Sequence, residues 1–435
     1  MQRRTLWLII GILGICATVT LISIGGLLAM MALLSVFLTD QPLDVSSILQ
    51  ATGLIALGLG IGVPLVLAGW AGWQEKPSRP FNPSRTRWVW LALPCAFLTF
   101  VALGAAIGWL PRVINLPIPA STKAWVEALL LSPVHVLAMS IPSLLMLGLA
   151  GWGLRGTAGT QRDIVTGMTS GGCLGMGISM VAEILVIVAV VIIVMVAVIL
   201  IPGGVEQLYN LSKDIENPAW QEDVSNALDL LLAPAVVIPL FGIVCVLVPL
   251  MEEAFKTLGI AVAGPWVRPR PGRAFLWGVA AGAGFALAEN LLNGAAGSTE
   301  TWAPVAVARV GATAMHCLSS GMLGWGWGQL WTARRPARLV GIYIVSVTLH
   351  GLWNALALGM AYAGMIAFTQ DEVIWKSIPG LAAIVVVAIM GLLSISFLVA
   401  LFLIARRLAT RREERLQDNP AIPQVPPTHP QAPTS

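Results

Sequence analysis

Charge is scarce in this sequence. Asp, Glu, Lys and Arg make up 11% of its 435 residues, against about 25% in an average soluble domain. With 57% of residues hydrophobic, folding in water cannot hide so much apolar surface. Cysteine is sparse too. Cys16, Cys95, Cys173, Cys245 and Cys317 each sit alone in an apolar stretch. No Cys-x-x-Cys metal or redox motif can form, and no disulfide framework is indicated. They read as small packing residues. An uncleaved first span, rather than a cleavable signal, is expected at the start. The apolar run after Arg3 and Arg4 continues from Leu6 to Leu38, far beyond the ~7–15 residues of a signal core.

What the chain does have is apolar stretches longer than the ~18 residues that read as a membrane span. Ten are expected, at 6–38, 48–73, 88–110, 128–154, 164–202, 231–263, 274–297, 303–331, 338–367 and 377–405. The fold class is therefore an all-α polytopic helical membrane bundle. Stretch 164–202 opens on a glycine-rich run from Gly167 to Gly177, so a helix that is broken or partly interfacial is expected there. Pro239 and Pro249 predict kinks in 231–263.

The basic residues give the orientation. Nineteen of the 25 lie at the two ends or in the even-numbered turns, around Lys76, Arg155, Arg268 and Arg334. The odd-numbered turns hold Arg112, Lys123, Lys213 and Lys376, with acids such as Glu206, Asp214 and Glu216. The positive-inside rule then puts both termini in the cytoplasm and requires an even number of spans. The long outer turn near 203–230 looks amphipathic. The end of the chain, from Leu416, is rich in proline and reads as disordered. Tryptophans at span ends, such as Trp88, Trp109, Trp302 and Trp331, fit interfacial anchoring.

A few polar residues remain inside the spans: Glu183, Glu252, Glu253, Lys256, Glu289, Asn290, Arg309, His316, His350 and Asn354. A charge at mid-bilayer costs at least ~2.5–3.5 kcal/mol, so such residues normally face a protein interior or a watery cavity. All but Glu183 fall on four consecutive spans. Lys256 follows Glu252 by four residues and Glu253 by three, so it can pair with either. His350 and Asn354 share a helix face, as do Arg309 and His316. Gly278, Gly282 and Ala286 form a strip that admits a close neighbour. Arg162, Gly167 and Gly171 repeat the spacing of Arg273, Gly278 and Gly282, which hints at an internal duplication. His135, after Pro133, reads as structural.

Peptide hydrolysis would use such a set. It needs a base to activate water, donors for an oxyanion and an acid for the leaving amine. Glu252 or Glu253 can be the base and the other a partner of Lys256 or Arg309. Glu289, His316, His350 and Asn354 complete the expected catalytic residues, with Lys256, Asn290 and Arg309 in support. Alternatively, His316, His350 and a glutamate can hold Zn²⁺. With no His-Glu-x-x-His spacing present, metal-free hydrolysis is favoured slightly over zinc.

At these positions the sequence resembles the PrsW-like intramembrane proteases of the Abi/CAAX-protease superfamily. The Glu-Glu-x-x-Lys motif matches Pro249 to Lys256. A glutamate four residues after an aromatic matches Phe285 and Glu289. A lone histidine matches His316, and His-x-x-x-Asn matches His350 and Asn354. The order holds across 249–354. The resemblance implies a peptidase of glutamic or metallo type that cuts membrane or membrane-anchored proteins. Glu289, where CAAX-type relatives often carry histidine, favours the PrsW-like branch. It also implies a catalytic membrane domain at 231–405, beside a membrane region at 1–230 of unassigned role and a basic, proline-rich disordered tail at 406–435. The expected location is the plasma membrane, with lipid and a membrane protein substrate as partners and no nucleic acid. The competing reading is a proton-coupled secondary transporter, which would spread its polar residues over both halves of the chain.

Overall fold

A computed structural model describes residues 3–39, 42–113, 119–156, 158–217, 226, 230–295, 299–369 and 373–417. The described residues contain no strand and include eleven helices of more than ten residues. These are α1 (Arg3–Thr39), α2 (Val45–Trp73), α3 (Arg87–Val113), α4 (Ala120–Gly153), α5 (Gln161–Leu200), α6 (Gly204–Glu216), α7 (Pro234–Val267), α8 (Pro271–Asn293), α9 (Trp302–Ala333), α10 (Pro336–Thr369) and α11 (Val373–Gln417). Nine of them, all but α6 and α9, contain a segment long and apolar enough to cross a membrane. The expected 303–331 span is α9, 32 residues long. Its glycines, serines and His316 make it less apolar, yet it lies along α8 for most of its length.

The glycine-rich start of α5 is not a break. It is a π turn, Ser170–Gly175, inside a continuous helix. α7, which carries Pro239 and Pro249, has a π turn at Ile243–Leu247 and a second interruption at Thr257. A further π turn in α2 covers Gly58–Gly62. Such turns insert one residue into the hydrogen-bond ladder and re-aim the side chains that follow. α11 runs on to Gln417, so the basic part of the 406–435 region is helical, as its Arg, Leu and Glu content favours. Residues 418–435 lie outside the described residues, as does most of 218–229.

α8 is the axis of the bundle, buried along nearly its whole length. It can be surrounded because its surface is small. Gly278 meets the Ser320 carbonyl and Gly321 of α9, Gly282 meets the His316 carbonyl, and Gly284 meets the Met168 carbonyl of α5. Gly53 of α2 packs on Leu291, and Met139 of α4 packs on Gly294. Backbones come this close only where no Cβ intervenes. The Gly278 and Gly282 strip thus does what its spacing predicts. The matching strip on α5 also packs on α8, with Gly167 against Ala280 and Gly171 against Ala281. Asp163 and Arg273 close this pair at one end, 2.8 Å apart.

The strip gives a stability prediction. A Cβ at Gly282 would lie 2.9 Å from the Ser320 Cβ and closer still to the His316 backbone. Gly282→Val should cost about 1–3 kcal/mol by overpacking and shift His316 on its helix. Thermal unfolding in detergent, run beside turnover, checks this. A variant with wild-type stability would show that α8 and α9 can separate freely.

Trp302 departs from the anchoring role. It is 2% exposed, and its indole N–H donates to His135 Nδ1 at 3.0 Å. His135 Nε2 then donates to the Leu291 carbonyl at 3.0 Å. The two residues tie α4, α8 and α9 together at one end of the bundle, the structural role expected of His135.

Candidate active site

The four polar helices converge. Within α7, Glu252, Glu253 and Lys256 follow the π turn and Pro249 in a single helical stretch. Lys256 is fully buried and holds the centre together. Its Nζ lies 2.8 Å from Glu253 Oε1, 3.0 Å from Glu252 Oε2 and 2.7 Å from His316 Nδ1. The ammonium also sits 4.4 Å from the centre of the Phe285 ring, a cation–π contact from α8.

The histidines are oriented from outside the centre. The Lys256 ammonium can only donate, so His316 Nδ1 is its acceptor and the proton of the neutral ring lies on Nε2, which faces Glu289 Oε2 at 2.8 Å. His350 Nδ1 donates to Glu253 Oε1 at 3.0 Å. Its Nε2 faces Glu252 Oε2 at 3.7 Å. The two rings meet edge to face, 5.0 Å between centroids. Each imidazole therefore has one nitrogen fixed by a carboxylate and the other turned toward the centre, the arrangement that orients a reacting or ligating histidine.

Glu289 is held by Arg309, with contacts of 2.9 and 3.1 Å to its two oxygens. Arg309 Nε also donates to Asn290 Oδ1 at 2.6 Å, and Asn290 donates onward to Thr313 Oγ1 at 3.0 Å and the Met139 carbonyl at 3.3 Å. Arg309, Asn290 and Thr313 thus form a buried support for Glu289, and through it for His316. Three carboxylates and two cations share this low-dielectric interior, where paired charges interact far more strongly than in water.

The two adjacent glutamates are not equivalent. Glu253 is 0% exposed and spans Lys256 and His350, whereas Glu252 is 7% exposed. Its Oε2 contacts Lys256 but lacks a well-directed hydrogen bond. The ~100° turn between neighbouring residues points the two carboxylates in different directions, with Glu253 the more deeply buried.

Asn354 does not join the cluster. Its amide donates to the Val244 carbonyl at 2.9 Å, inside the π turn of α7. A π turn alters the carbonyl pattern of the ladder, and Asn354 supplies a donor there. Tyr343 does the same for the Leu250 carbonyl at 2.6 Å. Both residues position the helix that carries the glutamates. For Tyr343 no spacing signal exists, since its partner lies on another helix.

Glu183 is the residue that spacing sets apart and the fold brings in. α5 packs against α7, with Gly175 opposite the Lys256 backbone. Ser179 and Glu183 follow Gly175 at one-turn intervals on the same helix.

The donor set also fits a metal. One ligand atom each from Glu252, His316 and His350 lies within 4.8 Å of the others. A carboxylate and two imidazoles, each imidazole backed by a second carboxylate, suit Zn²⁺. The Lys256 ammonium already occupies His316 Nδ1 and Glu252 Oε2. An ion there and the ammonium in its present place exclude each other.

Among known families, residues 178–393 match the PrsW family intramembrane metalloproteases. The matched stretch starts inside α5, shortly before Glu183, and ends within α11. No curated protein matches the chain, and no solved structure does.

Proposed function

We propose, for a chain whose residues 178–393 belong to the PrsW family of intramembrane peptidases, that the Glu252, His316 and His350 centre is where the peptide bond is cut. The observation that carries this reading is the convergence of those side chains, from three separate helices, around one buried lysine. Isolated intramembrane charges are too costly to be kept without partners or a task.

In this reading Glu252 is the general base. It removes a proton from water, and the water oxygen bonds to the scissile carbonyl carbon. Charge on the carbonyl oxygen is met by the nearby Lys256 ammonium. Protonated Glu252 returns its proton to the leaving nitrogen as the C–N bond breaks. Glu253 fixes Lys256 and His350, while Glu289 and Arg309 fix His316. Asn354 acts by positioning α7. The test is purified full-length protein in vesicles with fluorescent membrane peptides, wild type against Glu252→Ala. Equal cleavage by both would remove this centre from the chemistry.

A second reading is supported by the family's description and by the donor set. Glu252, His316 and His350 would hold Zn²⁺, which when bound supplies Lewis-acid polarisation of water or carbonyl. Metal-free hydrolysis keeps a slight preference because Lys256 engages His316 Nδ1 directly. Activity should therefore survive prolonged chelation, checked by assay and metal analysis on one sample. Loss on chelation with recovery on adding zinc would overturn the metal-free version.

The same reading makes the substrate a membrane or membrane-anchored protein. The basic turns support both termini on the cytoplasmic side of the cell membrane.

A further inference from the structure

We propose that Glu183 and Ser179 of α5 form the wall of the centre that receives the unwound substrate segment, accepting the backbone N–H groups freed beside the scissile bond. This rests on the peptidase reading above.

Two contacts set the register of α5 on α7. Ser170 packs on Gly259, and Gly175 packs on Lys256, 3.1 Å from its Cα to the position a Gly175 Cβ would take. Ascending on one helix and descending on the other, the pair is antiparallel. One turn further along α5, Ser179 comes level with Glu252. Another turn brings Glu183 level with Val248. Gly175, Ser179 and Glu183 therefore form one stripe facing the side of α7 that bears Glu252.

The stripe has unused acceptors. Ser179 is 0% exposed, and its Oγ has no hydrogen-bond partner among the described residues. Helical serines commonly bond back to the carbonyl one turn earlier, and Ser179 does not. Glu183 is half-buried and forms no ion pair among the described residues.

Location gives these acceptors a use. Beyond Glu183, α5 is apolar and faces outward, with Leu185 64% and Ile193 66% exposed. The neighbouring half of α7 does the same, with Ile238 70% exposed. Glu183 thus stands at the boundary between lipid-facing helix and polar centre. A membrane-spanning substrate reaches the centre from the bilayer and must lose helical hydrogen bonds to expose one peptide bond. In hydrocarbon no water replaces them, so each freed N–H needs a protein acceptor. A carboxylate supplies two oxygens and Ser179 a third.

The test uses full-length protein in vesicles and a Leu/Ala/Val membrane peptide of about 20 residues with a central Gly-Pro that unwinds it. Binding of the fluorescent peptide is measured in the Glu252→Gln background, so that cleavage plays no part. Adding Glu183→Leu should weaken binding about tenfold, the scale of one charge-assisted hydrogen bond. Adding Glu183→Gln should keep most of the affinity, because the amide oxygen still accepts. Thermal stability should not fall in either variant, whereas a merely structural Glu183 would lower it in the leucine variant. In the active enzyme, Glu183→Leu should raise KM more than it lowers kcat. Unchanged binding in Glu183→Leu, or an equal loss in Glu183→Gln, overturns the inference. Glu183-dependent binding by a wild-type protein that never cuts would support the acceptor wall and remove the peptidase reading.

Discussion

Glu252→Gln is expected to insert and fold like the wild type and to lose ~10²–10⁴-fold in turnover. Glutamine keeps the size and the hydrogen bonds but cannot take a proton. Glu252 makes no well-directed hydrogen bond through Oε2 and is the more exposed of the pair, so its replacement disturbs little. Glu253→Gln should behave differently. Its Oε1 accepts from both Lys256 and His350, at 2.8 and 3.0 Å. Neutralising it weakens the hold on a fully buried ammonium, so stability should fall at least as clearly as rate. Turnover and thermal stability of both single variants in one detergent make the comparison. Full activity in both would take the pair out of catalysis. It would also revive the transporter reading, in which these carboxylates only relay protons.

The sequence showed most of the fold because membrane insertion leaves strong, local signals. Apolar length marked the spans, and the glycine strip of α8 marked a close helix contact. Helix irregularities were legible only as locations. The glycines of α5 and the prolines around 239–249 pointed to disturbed helices, but the same composition suits a break, a kink or a π turn. Which one forms depends on the neighbours, such as Asn354, whose amide meets the Val244 carbonyl. Trp302 misled for a similar reason. A tryptophan at a span end is an anchor unless a buried acceptor lies beside it, and His135 is 167 residues away in sequence.

For the site, residue type and order were enough to assemble Glu252, Glu253, Lys256, Glu289, Arg309, His316 and His350. Charges in a membrane have few alternatives to one another. The division of labour between Glu252 and Glu253 was not legible. It depends on which of two neighbouring residues points at α10, a matter of helix rotation. The place of Glu183 beside the centre was hidden because Glu252 lies on a helix that follows a long outer turn, and no local spacing records that α5 packs on α7.

Lys256→Met tests whether this lysine is the keystone the geometry makes it. Methionine has similar length and no charge, so it fills the space beneath Phe285 and leaves Glu252 and Glu253 without their common cation. Removing one partner of a buried ion pair typically costs about 3–5 kcal/mol, and thermal or denaturant unfolding should show a loss of that order. The double variant Glu253→Gln with Lys256→Met should recover a large part of it, since the most buried carboxylate is then neutral as well. Loss without recovery would mean that Lys256 contributes packing rather than charge balance. The same variant separates the two chemical readings without an activity assay. With the ammonium gone, His316 Nδ1 and Glu252 Oε2 are released, and His350 Nε2 already faces them. If these three atoms make a metal site, zinc should restore stability to Lys256→Met, by about 2.7 kcal/mol at a hundredfold excess over its Kd. A chelator should reverse the gain, and His316→Ala should abolish it. Zinc that leaves the unfolding curve of Lys256→Met unmoved would show that the carboxylate and histidines are held apart from a metal-binding geometry, and the lysine-centred, metal-free arrangement would stand.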